Sequence, residues 1–198
     1  MPFTPLQLPD AAVRLDPHWL PEAEAVSLLD ALLAGVPWEV HRIRLFGREV
    51  DSPRLSCWIG DAGAAYTYSG TRFTPHPWSD ALRPVRVRLR EELGIDFNSV
   101  LANRYRDGRE GMGWHRDSEA ELGPDPVIAS LSLGATRRFV LKNRHAGSDR
   151  LVLHLPPGSL LVMAGQTQRH HLHALPKTTR PVGERINLTF RRIVQSAG

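Results

Sequence analysis

His115 and Asp117, two residues apart, are the side chains in this 198-residue sequence best suited to binding a metal. In an extended backbone, residues two apart point to the same side, so the imidazole and the carboxylate can converge on one point. One more histidine would complete a set of two imidazoles and one carboxylate, which holds Fe(II) and leaves positions open for other ligands. A His-x-Asp pair also arises by chance in solvated loops, so it requires support from elsewhere in the chain.

A strongly alternating segment, residues 184–193, supplies that support. Its apolar residues alternate with Arg185, Asn187, Thr189 and Arg191. Strict alternation predicts a β-strand with one apolar and one polar face, and an ordinary half-buried strand would show the same pattern. The polar face carries two guanidinium groups, and arginine forks match the carboxylates of a small dianion. His173, shortly before this segment, is a candidate third metal ligand.

Together these segments resemble the AlkB family of Fe(II)- and 2-oxoglutarate-dependent nucleic-acid dealkylases. The resemblance rests on Asn103-x-Tyr105, His115-x-Asp117, His173 and the Arg-x-Asn-x-Thr-Phe-Arg stretch of 185–191. It covers roughly residues 38 to 193, joins separate motifs in the family's order, and is closest to the branch that repairs double-stranded DNA. It implies the double-stranded β-helix, or jelly roll, of the oxygenase superfamily.

The family resemblance implies an iron site formed by His115, Asp117 and His173. Zinc accepts the same ligand atoms and is the alternative metal. His170 and His171 are neighbouring alternatives to His173, and related proteins often carry tryptophan at the position of His171.

The resemblance also implies a site for 2-oxoglutarate as co-substrate, with O₂ as the second one. Arg185 is expected to bind the far C5 carboxylate, since a buried negative charge requires a cationic partner. Arg191 is expected near the C1 end. Neutral hydrogen bonds are expected from Asn103, Tyr105, Asn187 and Thr189.

The implied reaction is oxidative dealkylation of bases such as 1-methyladenine and 3-methylcytosine, with release of succinate, CO₂ and formaldehyde. A methyl group on a base-pairing nitrogen cannot be reached inside a duplex, so the base must flip out. Glu119 is a candidate for reading its exocyclic amino group. Ser118 stands where the closest relatives tend to have an acid.

An aromatic residue at a predicted turn, Phe46 in Phe46-Gly47, is unusual because loops are mostly polar. It either folds back into the core or serves as an exposed wedge. In the duplex-repair branch, a Phe-Gly hairpin at the corresponding place inserts into DNA. Arg48 and Arg54 are the neighbouring candidates for binding the nucleic acid, and the Arg54 position resembles one that reaches the opposite strand.

The run Tyr66-Thr67-Tyr68 places two aromatic rings on one face of a short extended segment. Aromatic residues on one face are most often part of a core. Beside a metal site they could instead stack on a flipped base. The run resembles the nucleotide-recognition lid of the family.

Charge, cysteine content and hydropathy bear on three questions: whether the protein binds nucleic acid, whether it spans a membrane, and in which compartment it is expected. The net charge is +4, and Lys142 and Lys177 are the only lysines among 25 basic residues. The arginine excess suits a nucleic-acid surface, although a GC-rich genome would also produce it. Cys57 is the only cysteine and no apolar run is long enough to span a membrane. With no recognisable signal peptide, we expect a cytoplasmic monomer that binds alkylated DNA.

Periodicity predicts one mainly β domain with flanking helices. Residues 1–37 are expected to form an irregular arm and a helix from Pro21 to Gly35. Residues 38–96 should hold the lid and a support helix over 78–93, and residues 97–194 the jelly-roll core. The core strands are expected at 100–105, 127–133, 138–141, 151–155, 160–163 and 185–193.

Two other functions fit the same residues. The chain could be an oxygenase of the same chemistry that acts on RNA or protein, or a metal-binding jelly roll without activity. The presence of both Arg185 and Arg191 favours the enzyme.

Overall fold

Two antiparallel β-sheets form the body of the protein. The computed structural model describes residues 3–40, 42–45, 48–64, 66–68, 71–145 and 150–194, and of residues 42–45, 48–50, 66–68 and 71–73 it describes the backbone alone. The predicted class, mainly β with flanking helices, is confirmed.

The larger sheet has seven strands. In spatial order they are β1 (Thr4–Leu6), β2 (Ala12–Asp16), β13 (Leu160–Ala164), β10 (Ile128–Gly134), β15 (Arg185–Arg191), β8 (Ser99–Tyr105) and β5 (Leu55–Gly60). The alternating strand β15 lies near the middle and pairs with β10 and β8, so its polar face is flanked by strands on both sides.

The smaller sheet has four strands. In spatial order they are β12 (Arg150–Leu155), β11 (Arg137–Asn143), β14 (His171–Leu175) and β9 (Met112–His115). Two hairpins lie outside the sheets, formed by β3 (Arg42–Leu45) with β4 (Arg48–Asp51) and by β6 (Tyr66–Tyr68) with β7 (Thr71–Phe73). Neither β9 nor β14 is among the strands predicted from the sequence, and both are short.

Helix α1 (Glu22–Gly35) follows Pro21 as predicted and carries Glu22 and Glu24 in its first turn, where carboxylates complement the helix dipole. Its fully buried residues are Ala25, Leu28 and Leu32. Val26, on another side of the helix, is half exposed. The helix lies against β10, on the side of the larger sheet that faces away from the smaller one.

Helix α2 (Arg83–Leu93) begins later than the predicted residue 78. Pro84 lies in its first turn, where the missing amide hydrogen costs nothing, and the preceding residues form turns. Gly94 ends the helix with φ +69°, a left-handed conformation that favours glycine. Two short helical segments, Ala120–Leu122 (3₁₀) and α3 (Thr167–His170), flank the site described below.

The predicted irregular arm at residues 1–20 is wrong. Strand β2 pairs antiparallel with β13 over five residues and extends the larger sheet, and β1 pairs with β2. Trp19, just after these strands, is buried and donates its indole N–H to Glu92. The segment is held by main-chain pairing with a distant strand, which leaves little periodic trace in its own sequence.

The apolar core has two parts. One lies between the larger sheet and the helices and contains Leu32, Leu89 and Phe190. The other lies between the two sheets and contains Trp58, Leu141 and Met163. The polar pocket described next shares the space between the sheets with this second part. Within the described part of the chain, no helix combines the length and apolar character of a membrane span.

Candidate active site

Three potential metal ligands converge between the sheets. His115 ends β9 and is the direct cross-strand neighbour of His173 on β14, and their ring centroids lie 4.2 Å apart. Asp117 follows two residues after His115. One ligand atom from each of the three side chains lies within 4.8 Å of the others. Two imidazoles and one carboxylate at these separations could hold Fe(II).

His115 has its ring fixed by a backbone contact. Its Nδ1–H donates to the carbonyl oxygen of Gly113 over 2.8 Å, because a carbonyl can only accept. Nε2 therefore keeps its lone pair for a metal, as is usual for ligating histidines. Burial lowers the pKa of His115, and burial together with His115 lowers the pKa of His173 to about 3. Both rings are thus neutral at physiological pH, the state in which an imidazole can bind a metal.

Asp117 is held as a carboxylate. Burial alone would raise its pKa, but Arg191, His173 and His115 outweigh burial and lower it to about 2. One carboxylate oxygen, Oδ2, lies 2.9 Å from Nη2 of Arg191. The backbone N–H of Asp117 donates to the side chain of Gln168 on α3, which fixes the segment that follows β9. The other oxygen, Oδ1, remains for a metal.

The choice among the three neighbouring histidines is made by the strand pairing. His171 lies opposite Asn143 at the start of β14 and is outside the ligand cluster. It is buried, which lowers its pKa, and neither ring nitrogen has a hydrogen-bond partner in the described part of the chain. His170 contacts Gln166 on α3.

The opposite wall of the pocket is the polar face of the larger sheet. Arg185 pairs with Tyr105 and Asn187 with Asn103 across the β15–β8 ladder, so all four side chains face the space between the sheets. Nη2 of Arg185 donates to Ser132 Oγ and Asn187 Oδ1. Asn187 in turn donates to Thr189 Oγ1 over 2.9 Å. These hydrogen bonds connect the polar side chains of this wall, which we call the pocket floor.

Arg185 is the buried cation of this floor. It is 2% exposed, its guanidinium lies over the Tyr105 ring, and burial lowers its pKa to about 10, so it stays charged at neutral pH. Its Nε–H is buried and has no hydrogen-bond partner among the described residues. A buried charged donor without a partner is costly. The pocket thus fits a dianion such as 2-oxoglutarate, with one end toward Arg185.

Arg54 lies inside this pocket. It is 6% exposed and donates to Asn103 Oδ1 and Ser52 Oγ. The family resemblance had placed Arg54 at the nucleic-acid surface. Its observed partners belong to the pocket floor.

The residues expected to read the base occupy the segment after Asp117. Ser118 is exposed and Glu119 is partly exposed, with Oε2 buried and without a partner in the described part of the chain. Phe46 and Gly47 lie outside the described residues. Arg48 belongs to β4, and Tyr66, Thr67 and Tyr68 form β6, but their side chains lie outside the described part.

Several pocket residues escaped the sequence analysis. The polar ones are Ser52, Ser56 and Ser130, with Ser132 close behind them on the same hydrogen-bonded floor, and the apolar ones are Trp58, Leu101, Met112, Phe139, Met163 and Leu175. The alternation Ser130-Leu131-Ser132 was a usable signal, because the two serines share a face of β10. The apolar lining carries no local mark that distinguishes it from core.

Two facing sheets, with the ligand cluster on one and the buried arginine on the other, define a jelly-roll oxygenase of the Fe(II)/2-oxoglutarate class. The sequence-family model of the 2OG-Fe(II) oxygenase superfamily matches residues 12–191 of this chain. DNA oxidative demethylase ALKBH2 of Mus musculus is 42% identical over 160 residues, which cover 77% of this chain and 67% of that protein. This chain belongs to the AlkB family of that superfamily.

Other relatives agree with this membership, and a solved structure has a similar fold. ALKBH2 of Arabidopsis thaliana is 37% identical, covering 89% of this chain and 65% of that protein. Alpha-ketoglutarate-dependent dioxygenase alkB homolog 3 of Homo sapiens is 36% identical, covering 91% and 66%. The structure of OsALKBH1 has a TM-score of 0.62 at 15% identity and covers 96% of this chain and 100% of that one, a likeness of fold. The chain spans about two thirds of the length of these curated relatives.

Proposed function

We propose that this protein removes N-alkyl groups from DNA bases by an oxygenase reaction that consumes 2-oxoglutarate and O₂. The observation that carries the proposal is the pocket itself, in which the His115–Asp117–His173 cluster faces the buried, partly unpaired guanidinium of Arg185. The relatives' names, which specify a DNA oxidative demethylase and an α-ketoglutarate-dependent dioxygenase, support the same reaction.

Bound iron and its co-substrates supply the oxidation: an N-methyl group, 2-oxoglutarate and O₂ yield a free N–H, formaldehyde, succinate and CO₂. His115, Asp117 and His173 would hold the metal. Arg185 would pair with the distal carboxylate of 2-oxoglutarate, and Arg191 would keep Asp117 ionised while lying near the other end. Asn103, Tyr105, Asn187 and Thr189 would provide the neutral hydrogen bonds of the floor.

The base itself must leave the DNA stack to reach this pocket. We assign Ser118 and Glu119 to the contact with the base, because they follow Asp117 directly. The hairpin β6–β7, with Tyr66, Thr67 and Tyr68, would form the lid of the nucleotide site within the segment 38–96. Within residues 1–37, helix α1 would support the catalytic core of residues 97–194 from outside, while β1 and β2 extend the larger sheet of that core.

Duplex DNA is the preferred substrate in this proposal, with the protein acting as a monomer. The preference for duplex DNA is supported by the pairing of β3 with β4 and by the sequence Phe46-Gly47, which lies between these two strands in the chain. An aromatic ring at this point of the chain could fill the gap that a flipped base leaves.

The test is product analysis by mass spectrometry on oligonucleotides that carry 1-methyladenine or 3-methylcytosine. Duplex DNA, single-stranded DNA and single-stranded RNA are compared, each with 2-oxoglutarate present and omitted. We expect 2-oxoglutarate-dependent loss of the methyl group with equimolar formaldehyde, fastest on duplex DNA. His173→Ala should be inactive, and His170→Ala, a neighbouring histidine outside the ligand cluster, is the matched control. Turnover on RNA alone would replace the DNA assignment.

A further inference from the structure

Arg54 occupies an unexpected place for a residue that precedes a strand by one position. Its side chain is buried in the pocket, where Nε donates to Asn103 Oδ1 over 2.6 Å and Nη1 donates to Ser52 Oγ over 2.9 Å. Both partners are neutral. The guanidinium group of Arg54 therefore orients neighbouring side chains in this pocket, which is also lined by His115 and Arg185.

The orientation of Asn103 depends on this contact. The two ends of an amide have almost the same shape, so the hydrogen-bond network decides which end points where. Arginine can only donate, and it therefore requires the oxygen of Asn103 on its own side. The Nδ2 group is left on the other side, and no hydrogen bond to it is present within the described residues.

Asn187, the cross-strand neighbour of Asn103, differs because both its amide oxygen and its amide nitrogen have hydrogen-bond partners. Its oxygen accepts from Arg185 and Ser130, and its Nδ2 donates to Thr189. Its amide is thus engaged at both ends. Of the two amides on this floor, Asn103 is the one whose Nδ2 has no hydrogen-bond partner among the described residues, which leaves both of its N–H groups for a ligand in the pocket.

We infer that Arg54 is a positioning residue for the co-substrate: it fixes the amide of Asn103 so that the Nδ2–H groups, and not the oxygen, face the 2-oxoglutarate anion. The inference rests on the proposed function. Without Arg54 the amide can rotate and present its oxygen to a carboxylate, which is repulsive. One well-placed donor to a charged group corresponds to a change in the dissociation constant on the order of tenfold.

The experiment is a double-mutant cycle read by calorimetric titration of 2-oxoglutarate into protein loaded with Mn(II), so that no turnover occurs. The proteins are wild type, Arg54→Met, Asn103→Ala and the double variant. We expect each single change to weaken binding about tenfold and the double variant to bind no more weakly than Asn103→Ala. Such non-additivity is the signature of one residue acting through the other.

The outcomes separate the alternatives. Unchanged 2-oxoglutarate affinity in Arg54→Met, or additive losses in the double variant, would overturn the inference. A contact with DNA would instead raise the KM for methylated duplex and leave 2-oxoglutarate binding unchanged, which also overturns it. Failure of the wild type to bind 2-oxoglutarate would remove the proposed function and the inference with it, whereas wild-type binding with an unaffected variant removes the inference alone.

Two controls keep the cycle interpretable. Arg138→Ala removes an exposed arginine from β11 and should leave 2-oxoglutarate binding as in the wild type. Mn(II) affinity, measured separately by electron paramagnetic resonance, should be unchanged in Arg54→Met. Should Arg54→Met fail to fold, Arg54→Lys replaces it in the same cycle: lysine keeps the charge but cannot bridge both Asn103 and Ser52, and the same non-additivity is required.

Discussion

Arg191 donates to Asp117 over 2.9 Å, and both side chains are about 95% buried. One oxygen of the carboxylate therefore neutralises a guanidinium, while the other could bind a metal. A buried ion pair is costly to break, because removal of one partner leaves an uncompensated charge.

Removal of this carboxylate is expected to damage both metal binding and folding. Asp117→Ala should lose iron and lower the free energy of unfolding of the metal-free protein by about 3–5 kcal/mol. Urea denaturation measures the second effect. The double variant Asp117→Ala/Arg191→Met, which also removes the stranded charge, should recover most of the stability while iron binding stays lost. Equal stability of the single and double variants would contradict the role of the ion pair.

The distal metal ligand can be tested by exchanging neighbouring histidines. We expect His173→Ala to lose iron and His171→Ala to keep it, because only His173 shares the cluster with His115 and Asp117. Metal content after desalting is the measurement. His171→Ala should still lower the melting temperature, since it leaves a cavity at a buried position. Iron loss in His171→Ala alone would reverse the assignment.

The buried guanidinium of Arg185 should govern the affinity for 2-oxoglutarate. Arg185→Ala removes a charge-assisted contact, and we expect the dissociation constant to rise roughly 10- to 100-fold. Arg185→Lys should recover part of the loss, because it restores the charge without the fork. Calorimetry on metal-loaded protein provides the values. Metal affinity itself should be unaffected in both variants, which separates this effect from damage to the ligand cluster.

The metal-free protein should lose stability as the pH falls. The pKa of His173 is about 3 in the folded protein and 6.5 ordinarily, so between these values the unfolded chain binds a proton that the folded chain does not. The contribution of His173 to the free energy of unfolding is therefore fully present above pH 6.5 and is lost as the pH falls toward 3. Unfolding in chelator at pH 7.5 and 5.5 tests this. His173→Gln should show a weaker pH dependence, and His170→Gln should retain that of the wild type.

Substitution of Phe46 tests whether the protein repairs mainly duplex or mainly single-stranded DNA. As a wedge it would stack in the gap left by the flipped base, so Phe46→Ala should lose activity mainly on methylated duplex DNA. As a core residue, the same change would destabilise the fold by roughly 3–5 kcal/mol and weaken both activities together. Parallel assays on the two substrates, with a thermal melt, distinguish these results. Equal loss on both with a lowered melting temperature would remove the wedge.

The sequence by itself determined which side chains share one side of a strand and which chemical groups they present there. The alternation around Asn187 and the spacing of His115 and Asp117 indicated which side chains point the same way, because the two-residue period of an extended backbone is a local property. Helix α1 and the end of α2 at Gly94 were likewise predicted from local signals.

Only the tertiary structure decided which faces meet. The family resemblance already favoured His173 over His171, and the pairing of His173 with His115 gives the geometric reason. The burial of Arg54 follows from its contact with Asn103 on a neighbouring strand. The strand β2 exists because β13, far away in the chain, pairs with it. These outcomes depend on sheet register between distant segments, and register is set by long-range pairing that no local period encodes.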